Sequence, residues 1–204
     1  MIAIVDYGMG NLSSVSKAVA LFRNDCIITD SRDKIARASK IILPGVGHFG
    51  KSVKELRKRK LFTLIQEKIK EGTPFFGICV GMQLLFSDSE EAPGVLGLAA
   101  IKGRVKRFKG QLVVPHMGWN QAKKEDRLGK KQKLFKGVKD KTFFYFAHSF
   151  YCQPECPEII LTTTEYGRKF VSSLNQDNVW GIQFHPEKSQ SEGLKVLNNF
   201  LNLC

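Results

Sequence analysis

Over its first 86 residues the chain alternates short apolar runs with segments of helical period, and that alternation admits few architectures. Ile2–Val5 reads as a strand, followed by Gly8-Met9-Gly10-Asn11 and a helix carrying Leu12, Val15, Val19 and Phe22 three and four apart on one face. Cys26–Thr29 and Ile41–Leu43 predict the second and third strands. Val53 and Leu56, then Leu61, Leu64, Ile65 and Ile69, predict two helices whose register slips near Lys60. Phe75–Ile78 is the next strand and Val80–Phe86 the helix after it. Such alternation with short loops pairs strands in parallel and lays helices on both faces of the sheet.

The second half reads differently. Leu112–Pro115, Thr142–Phe146, Ile159–Thr164, Phe170–Leu174 and Val179–Phe184 predict strands with few helices between them, so part of this half is antiparallel. Leu194, Leu197, Phe200 and Leu201 mark a closing helix. With no internal repeat and no linker, residues 1–204 are expected to form one domain, a three-layer α/β sandwich on a mostly parallel sheet.

The 204 residues are 43% apolar and 25% charged, enough to fill a core. MIAIVDYGMGN lacks the features of a signal peptide. The apolar stretch around residues 74–86 is broken by Gln83 and falls short of the ~20 residues of a membrane span. A cytoplasmic chain is expected, and the odd count of five cysteines points to reduced thiols. Cys152 and Cys156 have no second pair to complete a zinc site; with His148 they supply three ligands, but a solvated loop is the expectation, and no metal or cofactor is called for. The net charge of +13 raises nucleic acid as a partner. Yet the basic residues spread over Lys51–Lys60, Lys102–Lys109 and Lys123–Lys141 without any nucleic-acid-binding motif. They read as solvated surface, an aid to docking an acidic partner.

Chemistry in open α/β sheets gathers beyond the carboxyl ends of the strands, and three such ends carry unusual residues. Gly77-Ile78-Cys79-Val80-Gly81 is a cysteine version of the G-x-S-x-G elbow, whose glycines permit a sharp strand-to-helix turn. The turn sets Cys79 at a helix N-terminus, where the dipole favours thiolate. Gly181-Ile182-Gln183-Phe184-His185-Pro186-Glu187 ends an apolar strand in a histidine with a carboxylate two residues on, able to leave on the same side and orient the imidazole. Pro44-Gly45-Val46-Gly47 can aim backbone N–H groups at an anion; without a following Gly-Lys-Ser/Thr it is no nucleotide P-loop. Cysteine, histidine, carboxylate and an anion loop together specify acyl transfer through a thioester. His48, His116 and His148 remain chemically possible bases, but only His185 has a carboxylate in place.

At PGVGHFG, GICVGMQ and FHPEKS, in the family's own chain order, the sequence resembles the triad-type (class I) glutamine amidotransferases. DYGMGN, PHMGWN, YFAHSF and TTEYG narrow the resemblance to the branch that feeds ammonia to a (β/α)₈-barrel cyclase of histidine biosynthesis. A paralogous branch serving a sugar amidotransferase of surface-polysaccharide synthesis has nearly the same motifs and stays open. The resemblance implies Cys79 as nucleophile, His185 as base and Glu187 as its orienter. It places an oxyanion hole at Val46, Gly47 and Val80, and L-glutamine against Gly45, Gln83, His148, Ser149 and Phe150. It offers Met9, Asn11, Met117, Trp119, Tyr145 and Lys188 as the docking face for the cyclase in a heterodimer, with neither nucleic acid nor membrane as partner. Val80 stands where leucine is usual and Phe150 where tyrosine is common.

Overall fold

The computed structural model describes residues 1–125 and 133–204. Strands β1 (Ile2–Val5), β2 (Cys26–Thr29), β3 (Lys40–Gly45), β4 (Phe75–Cys79) and β12 (Val179–Ile182) lie parallel in the order β2-β1-β3-β4-β12. β1, β4 and β12 are buried at every residue, as parallel strands covered on both faces must be. Helices α1 (Leu12–Ala20), α2 (Arg32–Ala36), α3 (Phe49–Lys58) and α4 (Phe62–Lys70) make the crossovers, and α6 (Gln190–Leu203) closes the chain. The chain steps one way from β1 to β2 and the other way from β2 to β3 and β4. Right-handed crossovers therefore put α1 on one face and α2 to α4 on the other. Accordingly α1 packs with α6, and α2 and α3 pack with α4. Lys60, at φ 57, forms the left-handed break between α3 and α4 where the apolar register slips.

From β12 the sheet continues antiparallel through β11 (Lys169–Gln176), β10 (Ile160–Glu165), β7 (His116–Lys124) and β8 (Thr142–His148). A side branch joins β9 (Phe150–Pro154) to β11 and to β6 (Ile101–Arg107), with β5 (Phe86–Ser89) parallel to β6.

Several sequence expectations change. The helix expected over Val80–Phe86 is a single turn, α5 (Val80–Gln83). The carbonyls of Leu84 and Leu85 are taken by the amides of Leu98 and Ile101, and Phe86 has already joined β5. Leu112–Pro115 is not a strand: Pro115 has no N–H for a ladder, Val113 is 79% exposed, and its carbonyl accepts the Tyr166 hydroxyl instead. Phe22 lies beyond the end of α1 on the surface. Cys152 is buried in β9 opposite Val105, so the solvated-loop reading holds for Cys156 alone. The basic stretch Lys123–Lys141 falls partly on residues 126–132, outside the described residues. Within it Lys124 is structural, its Nζ donating to the carbonyls of Phe135 and Val138. Among the described residues no helix is long and apolar enough to cross a membrane.

Candidate active site

β3, β4 and β12 are neighbours, so their carboxyl ends open on one place. Gly45 stands opposite Cys79 in the β3–β4 ladder. Cys79 ends β4 at φ 54 and ψ −109, a costly conformation for any residue with a Cβ. The elbow is this tight because α5 folds back against β3. A Cβ on Gly81 would lie 1.8 Å from the Leu43 carbonyl oxygen, and one on Gly77 would lie 2.6 Å from that of Gly81. Both glycines are needed for close approach of backbone to backbone.

His185 is set by β8 as much as by its own strand. Its backbone N–H donates to the Tyr145 carbonyl at 2.9 Å. Its carbonyl accepts the Ser189 hydroxyl at 2.6 Å, and the Ser189 oxygen accepts the Tyr145 N–H at 2.9 Å. The side chain is thereby aimed at the elbow. Its Nδ1 lies 3.0 Å from Glu187 Oε1, and both side chains are buried. The other ring nitrogen is left for Cys79, which lines the same cavity. Burial by itself would strip the proton from His185. The hydrogen bonds and negative charge of Cys79 and Glu187 outweigh it and push the pKa up to about 10. A helix dipole adds little, because α5 is four residues long. Activation of the sulfur rests on the imidazole.

The remaining histidines do other work. His48 caps α3, its Nδ1 accepting the Gly50 N–H. His116 and His148 share a hydrogen bond of 2.9 Å, and burial pulls their pKa values down to about 4 and about 3. Neither is an imidazolium at neutral pH, so neither serves as a general acid.

Cys79 and His185 open on a cavity of about 460 Å³, large enough for an amino acid. Val46, Gly47 and Val80 line one side, and Gln83 with His148, Ser149 and Phe150 another. Gly45 and Glu187 stand behind the wall. Two features escaped the sequence reading. Glu91 lines the cavity and its carboxylate accepts the Phe49 N–H at 2.6 Å. Gln183, fully buried, donates its side-chain N–H to Cys79 Sγ at 3.6 Å. The second was legible: Gln183 and His185 are two apart on an extended segment and so share a face.

The expected docking residues divide. Met117 and Trp119 are 65% and 46% exposed, which overturns core packing as their alternative role. Trp119 meets Tyr145 edge-on at 6.2 Å, and Lys188 Nζ sits over the Tyr145 ring at 5.5 Å. Met117 and Lys188 also line the cavity. Met9 reaches to within 3.2 Å of the position a Cβ on Gly47 would take, and α1, begun by Asn11, packs on the Pro186–Lys188 turn.

Glu187→Gln tests the orienting carboxylate. It removes one of the influences that hold the proton on His185. The rate is expected to fall near the lower end of the ~10²–10⁴ that a positioned acid–base supplies. Because His185 must be protonated to donate, activity is lost as pH rises through its pKa, about 10 in the native chain. The variant's alkaline limb therefore moves to lower pH, and an unmoved limb in a pH–rate profile would contradict the assignment.

A buried sulfur, a protonated imidazole oriented by a carboxylate and a glycine loop facing one cavity make a cysteine acyl-transfer centre. The family model for glutamine amidotransferase class-I matches residues 3–204. The imidazole glycerol phosphate synthase subunit HisH of Methanocaldococcus jannaschii is 45% identical over 100% of both chains. The subunit of the same name from Pyrococcus furiosus is 49% identical over 99% of this chain and 98% of its own. Among solved structures, a glutamine amidotransferase aligns with TM-score 0.76 at 17% identity, covering 98% of this chain and 97% of its own. The PurLQS structure from Thermotoga maritima gives 0.74 at 18% over the same shares, a likeness of fold. The chain belongs to the class-I glutamine amidotransferases and, within them, to the family of the HisH subunit of imidazole glycerol phosphate synthase.

Proposed function

We propose that this chain is the glutaminase subunit of an imidazole glycerol phosphate synthase, working in the cytoplasm as one domain and delivering ammonia to a (β/α)₈-barrel cyclase in histidine biosynthesis. The observation that carries the reading is the convergence of Cys79 and of His185, bonded to Glu187, on one amino-acid-sized cavity. Cys79, its proton passed to His185, attacks the side-chain amide carbon of L-glutamine. The oxyanion forms toward the N–H of Val80 and that of the Val46–Gly47 peptide, and losing one such donor typically costs ~10²–10³ in rate. Gly47, at φ +96, is free to reorient that peptide, so the loop can gate the reaction. His185 returns its proton to the leaving ammonia, and water then cleaves the glutamyl thioester. Glu91 supplies negative charge for the α-ammonium of glutamine, and the Ala147–Phe150 backbone holds its amino-acid end.

Ammonia freed into water becomes ammonium and is lost as a nucleophile, so the site must be capped by the enzyme that uses it. Met117, Trp119, Tyr145 and Lys188 beside the cavity form the cap's landing face, with Met9 and Asn11 at its edge. Phe143, 53% exposed and on the same face of β8 as Tyr145, extends it. Glutamate release from glutamine should be slow for the isolated chain and rise sharply when a histidine-pathway cyclase is added. Trp119→Ala should weaken that complex by ~2 kcal/mol or more, as an aromatic anchor does, measured by titration calorimetry. Equal turnover with and without the cyclase would refute the partnership.

A further inference from the structure

Two side-chain amides, Gln83 and Gln183, stand between the Phe150 carbonyl and Cys79, and hydrogen-bond chemistry dictates which way round each must lie. The Phe150 carbonyl can only accept. It takes His148 Nδ1 at 2.7 Å and Gln83 Nε2 at 3.2 Å, so the Gln83 nitrogen faces it. The same nitrogen lies 3.1 Å from the Gln183 amide, which must offer its oxygen there. The Gln183 nitrogen is then turned to the sulfur, 3.6 Å from Sγ.

The far end of the series is fixed as well. His148 is neutral and spends its one N–H on Phe150, so its Nε2 accepts from His116 Nδ1 at 2.9 Å. His116, also neutral, then accepts at Nε2 from Asn120 Nδ2 at 3.2 Å. Every bond from Asn120 to Cys79 is satisfied in this arrangement, and it ends in a donor on the sulfur. Gln83, Gln183 and His148 are all buried, where reversing one amide would oppose two acceptors and cost an unmade bond.

The geometry points to Gln183 as a further catalytic residue, donating to the Cys79 thiolate, with Gln83 as the positioning residue that keeps this amide donor-first. The inference rests on the thioester reading above and adds a second group, besides His185, that holds the sulfur's charge. A hydrogen bond to a charged group shifts the thiolate population by ~10- to 100-fold. Nucleophilicity falls in partial compensation with a Brønsted slope near ~0.4–0.5, leaving a net effect of about 3- to 10-fold on the rate of alkylation.

The test is alkylation by iodoacetamide across pH for the wild type, Gln183→Leu, Gln83→Leu and the double variant, with thermal melts as a check on folding. Gln183→Leu should react about 3- to 10-fold more slowly on the acid limb of the profile, where thiol and thiolate compete, and the deficit should vanish or invert on the plateau above it. Gln83→Leu should show the same profile, and the double variant should be no slower than Gln183→Leu, because both act through one bond. Gln183→Met, which keeps the length and carries no donor, should show the same profile, and it carries the test should leucine not fold. A wild-type profile in a folded Gln183 variant, or additive effects in the double variant, would overturn the assignment. Alkylation needs no glutamine, so a chain that fails to hydrolyse glutamine even with the cyclase present, yet shows these profiles, would sink the glutaminase reading and leave this one standing.

Discussion

Cys79→Ala is expected to reduce glutamate release to background, with or without the cyclase, a fall on the order of 10⁶ as for loss of the nucleophile in other triad enzymes. The size of the effect follows from the lack of a substitute. Cys152 is buried in β9, and burial pushes its thiol pKa well up. Cys156, Cys26 and Cys204 do not line the cavity. A water molecule in place of the sulfur would be a far weaker nucleophile than a thiolate and would offer no thioester route. The backbone gives a second readout. Held at φ 54 and ψ −109, residue 79 carries strain of ~1–3 kcal/mol for any side chain, which glycine relieves. Cys79→Gly should therefore be as inactive as Cys79→Ala but melt higher, despite the ~0.5–1 kcal/mol of chain entropy that glycine costs. Residual activity in both variants above that of heat-killed protein would remove Cys79 from the mechanism.

The elements of the parallel half were legible because each is a continuous apolar strand or an amphipathic helix. Ile2–Val5 and Cys26–Thr29 end where the apolar runs end. The slip at Lys60 is a left-handed residue between two helices. Strands with one wet face were less legible: β8 was expected, whereas β6, β7 and β9 were not. In β6 only Ile101 and Val105 are buried among lysines and arginines, a spacing of four that carries no strand signature. β9 is equally mixed in sequence and takes its shape from pairing with β6 and β11, strands distant in the chain. Val80–Phe86 misled for a different reason. Its apolar residues are buried in either conformation, and what ends α5 is the capture of two carbonyls by Leu98 and Ile101.

The site divides along the same line. Cys79, His185 and Glu187 stand out locally, since glycines flank one and a proline separates the other two. Gln183 does not, because an amide at a strand end carries no charge to mark it; its one signal is its place two residues before His185, and the fold shows that it faces the sulfur. His148 was expected against the substrate, and its segment does line the cavity. Its ring, however, is spent on Phe150 and His116, bonds between β8, β9 and β7 that follow from the antiparallel half of the sheet. Legibility therefore ends where a side chain's role depends on a partner more than a few residues away.

The glycines of the elbow put that dependence to the test, and Gly81→Ala carries the second largest expected effect. The added Cβ would meet the Leu43 carbonyl oxygen at 1.8 Å, and both atoms belong to backbone that cannot rotate away. Overpacking of a tight interior typically costs ~1–3 kcal/mol and more where nothing can yield. Here α5 must lift off β3, taking Val80 and Cys79 with it. A displacement of ~1 Å at the reacting atoms costs ~10²-fold in rate, so Gly81→Ala should lose at least that much glutaminase activity in whatever fraction folds. The control is Gly72→Ala, in the turn after α4, where φ is +86 and an added Cβ meets nothing within 4 Å. It should cost only the ~1–2 kcal/mol of a left-handed backbone, a drop of a few degrees in melting temperature at ~2–4 °C per kcal/mol, with turnover unchanged. Melting curves and glutamate release on the two purified variants separate the cases. If Gly81→Ala behaves like Gly72→Ala, the elbow does not depend on the contact with Leu43, and the placement of Cys79 needs another cause.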